Sequence, residues 1–370
     1  MAYGTINADQ IGTSVAGSNL GAGDASLMKN RIINGAMVID QRNSGGSVTI
    51  PTATSTYTLD RWFAYATVGS KFSVQQNAGS VTPPIGFTNY LGVTSLSAYS
   101  VGASETFDIQ YRIEGYNTAD LGWGTANAKT VTLSFQVYSS LTGSFGGSLY
   151  NSATNRWYPF SYTVSSANTW TPISITIAGD TSGTWVGATN GIGLGIIFSL
   201  GIGSSLSGPA GSWSGSSYLQ PTGSVSVVGT NGATFYITGV QLEVGTTATN
   251  FDYRPYGTEL ALCQRYFYTA STTQLYSYIA CGRNISTTQA QFLIQLPVPM
   301  RAIPSVTSAA NSIGETVTGA TGALSVTSDG SSTTISGVVC NYSTGSVTAN
   351  AVGFIRTNNT TATPQFSAEL

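Results

Sequence analysis

The sequence predicts an all-β protein: a jelly-roll β-sandwich, then a smaller C-terminal β-sandwich, with an extended N-terminal arm and one short helix at the joint. Three observations predict it. Many short segments alternate in polarity or run β-branched and aromatic. Gly, Asn, Ser and Pro clusters such as NAGSVTPPIG and TGSFGG punctuate them, in a chain with 44 glycines and 12 prolines. Only one segment carries convincing helical spacing. Frequent turns between short strands indicate an antiparallel sandwich, and the lack of a fixed-period repeat counts against a β-helix or propeller.

Residues 1–30 are small and polar and hold little that could be buried. Such a terminus orders only when tied down, so it is expected to be an attachment arm lying on a neighbouring chain. The sandwich is expected over 31–256. Its strands are Tyr57 to Thr67, Lys71 to Asn77, Phe107 to Tyr116, Thr130 to Tyr138, Trp170 to Ile177 and Ala233 to Val244. The helix is expected over 257–268, with Thr258 as its N-cap and Leu260, Cys263, Gln264 and Phe267 at i, i+3, i+4 and i+7. A second β domain is expected over 269–370, with strands Leu275 to Cys281, Gln289 to Val298, Gly337 to Tyr342 and Ala351 to Thr357. Pro297, Pro299 and Pro304 mark an edge or corner, because proline cannot donate to a ladder.

Composition excludes several function classes. Thirteen Lys+Arg and fifteen Asp+Glu make the chain 8% charged with net charge -2, against a usual charged fraction of about 25%. With no basic block there is no phosphate-binding footprint, so no nucleic-acid partner is expected. Histidine is absent, which removes the usual general base and the common zinc ligand. The longest apolar stretch, around Ile192 to Ile202, is short and broken by glycines, so no membrane span is expected. The start MAYGTINADQ does not read as a signal peptide. Cys263, Cys281 and Cys340 lack metal-ligand spacing and are expected as small buried hydrophobes, a disulfide between two of them being the alternative. No EF-hand-type calcium loop and no phosphate-cradling site is present: GIGLGIIFSLGIG lacks the strand-turn-helix setting. No cofactor and no metal are expected.

Candidate chemistry is sparse. A glycoside hydrolase needs two carboxylates about 5–10 Å apart. Asp108 and Glu114 share strand parity but are separated by roughly 20 Å of strand, and Glu105 and Asp120 offer no better pair. These acids read as solvated or salt-bridged surface groups, and catalysis is not expected. Asp60 and Arg61, adjacent in LDRW, would point to opposite faces of a strand. In so charge-poor a chain they read as structural ions, each with its own partner, as do Asp252 and Arg254 in FDYRPY. Trp123, Trp157, Trp185 and Trp213 sit in glycine- or turn-rich contexts. They could offer flat apolar platforms for sugar rings, or plug sandwich ends and subunit seams, where aromatics are also favoured.

Several segments resemble tailed-bacteriophage virion proteins, chiefly tail-fibre-like proteins with a jelly-roll domain: KNRIINGAMVIDQR (29–42), YTLDRW (57–62), GVQLEVGTTATNFDYRPYGTELALCQRYF (239–267), PVPMRAIPSV and the late FSAEL. None of them is a catalytic signature, and the middle of the chain, roughly 80–230, matches nothing. The resemblance implies a non-enzymatic virion protein assembled in the host bacterial cytoplasm, most simply a tail fibre touching host-surface polysaccharide. It also implies a homotrimer bound to other virion proteins through the arm. The alternatives are a capsid decoration or tail collar protein with a purely structural role and, less favoured, a polysaccharide depolymerase.

Overall fold

The computed structural model describes residues 29–270, 278–307, 313–315, 321–322, 324–326, 334–343, 348–357 and 364–370. The expected arm lies outside these residues except for Lys29 and Asn30. The sandwich strands are β1 (Val48–Thr49), β2 (Thr56–Leu59), β3 (Trp62–Ala66), β4 (Phe72–Gln76), β5 (Leu91–Ser95), β6 (Thr106–Glu114) and β7 (Val131–Ser139). They continue with β8 (Gly143–Tyr150), β9 (Trp157–Val164), β10 (Thr171–Ile177), β11 (Ile192–Ile202), the short parallel pair β12 (Ser207–Gly208) and β13 (Gln220–Pro221), and β14 (Thr234–Val244). One six-stranded antiparallel sheet runs β1-β4-β5-β14-β7-β10 and the other runs β2-β3-β6-β11-β8-β9.

Alternation places Leu133, Phe135 and Val137 of β7 in the core between the sheets. Phe135 meets Phe198 of β11 at 5.2 Å and Tyr162 of β9 at 5.1 Å, both across the sandwich. Each fully buried side chain of this size contributes about 1.5–3 kcal/mol. β11 is buried almost throughout and central in its sheet. It shows no alternation, which is why its sequence did not read as a strand. Gly195 is needed there because a Cβ would stand 2.0 Å from the Tyr150 ring.

The structure departs from two expectations. Tyr57 to Thr67 is not one strand: Asp60 and Arg61 form the two-residue turn between β2 and β3, and Arg61 takes the left-handed φ of 71°. A glycine would be the ordinary choice, but the buried partners of both side chains hold this turn. The helix α1 is Tyr256–Gln264, one turn shorter than expected, with Pro255 rather than Thr258 at its N-cap. It stops because Arg265 and Tyr266 turn toward Glu114 of β6, leaving Phe267 to open β15 (Phe267–Thr269).

The remaining strands are β16 (Tyr278–Asn284), β17 (Gln289–Gln295), β18 (Ser305–Thr307), β19 (Ile313–Glu315), β20 (Thr321–Gly322), β21 (Leu324–Val326), β22 (Gly337–Ser343), β23 (Val352–Thr357) and β24 (Gln365–Ser367). A seven-stranded sheet orders them β20-β19-β23-β16-β17-β22-β21, and β15-β24-β18 make a three-stranded one. Phe292, Ile294, Leu296, Met300 and Phe366 form a second core. Cys263 is buried as expected, but Cys281 is exposed; the side chain of Cys340 lies outside the described residues.

The two cores meet at residues 368–370. Glu369 pairs with Arg61, itself 1% exposed, and with Arg42 at 2.6 Å. Arg301 donates to the carbonyls of Ala368 and Glu369, both at 2.7 Å, and Arg112 and Tyr57 donate to that of Leu370 at 2.6 and 3.0 Å. The Arg61 guanidinium also lies 3.6 Å over the Tyr266 ring. Burial works against its charge, but Glu369 and the surrounding tyrosines raise its pKa above the ordinary value. Replacing Glu369 by Gln strands a buried guanidinium and is expected to cost about 3–5 kcal/mol of stability. Urea unfolding of the variant against the parent checks this, and an unchanged midpoint would contradict it.

Candidate functional site

An open groove of about 560 Å³ crosses the outer face of the β7–β10 side of the first sheet, within the roughly 300–1,000 Å³ usual for ligand sites. Its floor follows from strand alternation: with Phe135 and Val137 inward, Ser134 and Gln136 face out. Ladder pairing sets Ser174 beside Ser134 and Pro172 beside Gln136. β10 is the edge strand, so the groove borders the sheet edge.

One wall is the segment 82–89, held at three points. Trp170 Nε1 donates to Thr82 O at 2.9 Å, Tyr253 OH to Gly86 O at 2.7 Å, and Thr238 Oγ1 to Asn89 O at 2.7 Å. Phe87 of this wall lies over the bulge in β14 at Gly239. That residue has φ 62°, and a Cβ on it would stand 2.5 Å from the Phe87 ring, so only glycine meets both demands.

The end wall is 248–253. Glu243 and Gln241, on the outer face of β14, hold it: Glu243 accepts from Thr249 N at 2.8 Å and Thr249 Oγ1 at 2.7 Å, and Gln241 Oε1 accepts from Asp252 N at 2.8 Å. Phe87, Phe251 and Tyr253 then cluster with ring centroids 4.8–5.6 Å apart. Tyr253 is 56% exposed. Past Gln136 on β7, Tyr138 belongs to a second aromatic group with Trp170, Tyr236 and Tyr90, at 5.0–5.5 Å. The groove thus has a hydroxyl and amide floor with aromatic rings at its rim.

The four tryptophans singled out from sequence lie elsewhere. Trp123, Trp185 and Trp213 gather edge-to-face at 4.8, 5.3 and 5.4 Å, packed against the main core. Each indole N–H is committed: to Lys129 O at 2.7 Å, Ser182 O at 3.2 Å and Ala178 O at 2.7 Å respectively. Trp185 and Trp213 stay half-exposed. Trp157 opens β9 rather than a turn, stacks on Tyr150 at 5.1 Å and is 6% exposed. Beside the three indoles Asp180, 2% exposed, takes a two-pronged pair from Arg156 at 2.6 and 2.7 Å.

Of the expected structural ions, Arg61 and Arg254 are paired, with Glu369 and Glu259. Asp60 and Asp252 are not ion-paired among the described residues, because amides reach them first. Asp60 accepts from Gln41 N at 2.6 Å and Gln41 Nε2 at 3.0 Å, and Asp252 accepts from Asn30 N at 3.3 Å. Burial pushes the Asp60 carboxyl up to about 7 against the pull of Arg42 and Gln41. Glu114 is salt-bridged, as expected, but buried rather than at the surface, and Asp108 is neither solvated nor salt-bridged among the described residues. Glu114 is held by Arg265 and Tyr266. Asp108 is fully buried, with Oδ1 on Gln110 and no hydrogen-bond partner for Oδ2 among the described residues.

Sequence reading missed Phe87, Ser134, Gln136, Ser174, Phe251 and Tyr253 as a group because β7, β10 and two loops supply them from distant positions. The available signal was the pair of aromatics two apart in NFDYRP, beside polar positions alternating with the core set of TVTLSFQVY.

No family model matches the chain, and no curated protein matches it in sequence. Among solved structures it is similar to the enzymatically active domain of bacteriophage CBA120 tailspike protein 4, at TM-score 0.31 and 11% identity over 60% of this chain and 22% of that one. It is also similar to the family 11 carbohydrate-binding module from Clostridium thermocellum, at 0.27 and 10% over 55% and 98%. A third is the N-terminal cellulose-binding domain of Cellulomonas fimi β-1,4-glucanase C, at 0.24 and 16% over 50% and 90%. Likeness this weak leaves function to be read from the chain's own geometry.

Burial pushes the Asp108 carboxyl up to about 7, with Gln110 and Arg112 pulling the other way. Unfolded, it titrates near about 3.9, so the folded state holds this proton more tightly. The resulting stabilisation is complete below about pH 4 and is lost as pH rises through about 7. Asp108→Asn is therefore expected to gain about 1–3 kcal/mol over the parent at pH 8–9 and little or nothing at pH 4. Thermal midpoints across pH check this; a pH-independent difference would refute it.

Proposed function

We propose that this chain is a non-catalytic tail-fibre protein of a tailed-phage virion, whose β-sandwich contacts host-surface glycan through the groove over β7 and β10. The observation that carries the glycan contact is the groove's make-up: Ser134, Gln136, Ser174 and Asn250 offer hydroxyl and amide partners beside the Phe87, Phe251 and Tyr253 rings. Sugar rings need that combination, apolar faces on aromatics and hydroxyls on neutral donors and acceptors.

The phage assignment is supported by the segments that resemble fibre proteins, which form one interlocked unit. Asn30 and Ile32 of the first accept from Arg254 of the third, whose Glu259 accepts from Asn34 N. Arg61 of LDRW pairs with Glu369 of FSAEL. A homotrimer attached to other virion proteins through 1–30 belongs to the same proposal. A depolymerase would need two carboxylates flanking a substrate cleft, and no acid among the described residues lines this groove.

A purely structural decoration or collar protein is the second reading. The committed N–H groups of Trp123, Trp157, Trp185 and Trp213 favour it, since these indoles serve packing first. Binding of the full chain to a host-glycan array separates the two. The fibre reading expects a signal that Tyr253→Ala weakens by about 1–3 kcal/mol and that Trp213→Ala leaves in place in folded protein. No signal on any glycan would favour the structural reading.

A further inference from the structure

Resting on the glycan reading, we infer that the groove selects uncharged glycan chains and rejects those carrying carboxylates or sulfates. Among the described residues none that lines it is charged, although its surroundings are not short of ions. Each nearby ion is turned away or bound within the protein: Asp252, between two wall residues, does not line the groove, and its Oδ2 accepts from Asn30 N. Glu243 is 3% exposed and takes both donors of Thr249 together with Gln241 Nε2. Lys29, at the end wall, donates to the same Thr249 hydroxyl that donates to Glu243. Arg254, with its side chain 4% exposed, is spent on Glu259 and the carbonyls of Ile32 and Asn30.

An anionic sugar placed between Gln136 and Tyr253 would lose water and meet only neutral amides and hydroxyls. Desolvating a charge without a counter-ion is costly, whereas a neutral hydroxyl exchanges water for Ser134, Gln136, Ser174 or Asn250 at little net loss. The three-point attachment of 82–89 makes this a fixed wall, so no cation need be recruited by rearrangement. Selection is therefore by exclusion of charge, and binding should not respond to salt.

The test is calorimetric titration of the full chain with neutral hexose hexasaccharides of β-1,4, α-1,4 and α-1,6 linkage, and with oligogalacturonate and hyaluronan hexasaccharides. Expected is binding of at least one neutral probe with Kd constant within about twofold between roughly 50 and 500 mM NaCl, and none of the acidic probes. Gln136→Glu, with an unchanged thermal midpoint, should weaken that binding by about tenfold or more. Acidic probes bound in a salt-dependent way and lost in Tyr253→Ala would overturn charge exclusion while leaving the glycan reading standing. Failure of every probe, neutral and acidic, would remove both.

Discussion

The buried pair of Arg61 and Glu369 joins the turn between β2 and β3 to a residue 308 positions later. Arg61 sits in a left-handed turn that glycine would fill more easily, and it is retained where its side chain can reach Glu369 and lie on Tyr266. Around that contact Arg42, Arg112 and Arg301 gather on residues 368–370. Removing Glu369 leaves the Arg61 charge uncompensated in the joint between the two cores, which is why so much of the architecture rests on one contact.

The same economy of charge explains the surface. Of ten arginines, Arg31, Arg42, Arg61, Arg156, Arg254 and Arg265 form ion pairs with acids of the same chain. Several of these pairs link segments far apart in sequence, as a longer hydrophobic core would. What remains outside is rich in Ser, Thr, Gly and aromatic rings, and the groove over β7 and β10 is a local instance of that neutrality. Its floor comes from strand parity, its walls from a Gly239 bulge, a tryptophan N–H and two hydroxyls.

Strands with clean alternation were legible in the sequence: β4, β7, β10 and β14 fall within a residue or two of expectation. β8, β9 and β11 were not, because strands with few polar positions or many glycines give no period-two signal. The turn at Asp60 and Arg61 was illegible for a different reason, since its stabilising partner lies at Glu369 and no local cue announces it. Tryptophans drew attention by their rarity and glycine-rich settings, yet their indole nitrogens are taken up by backbone carbonyls. The groove is composed of common residues whose meaning appears only when β7, β10, 82–89 and 248–253 are brought together.

The most direct test is a crystal structure of the full chain soaked with a neutral oligosaccharide that it binds in solution. Sugar density is expected on Ser134, Gln136 and Ser174, with a ring against Tyr253 or Phe251. Density against Trp185 and Trp213 at the sandwich end, with the groove empty, would contradict it.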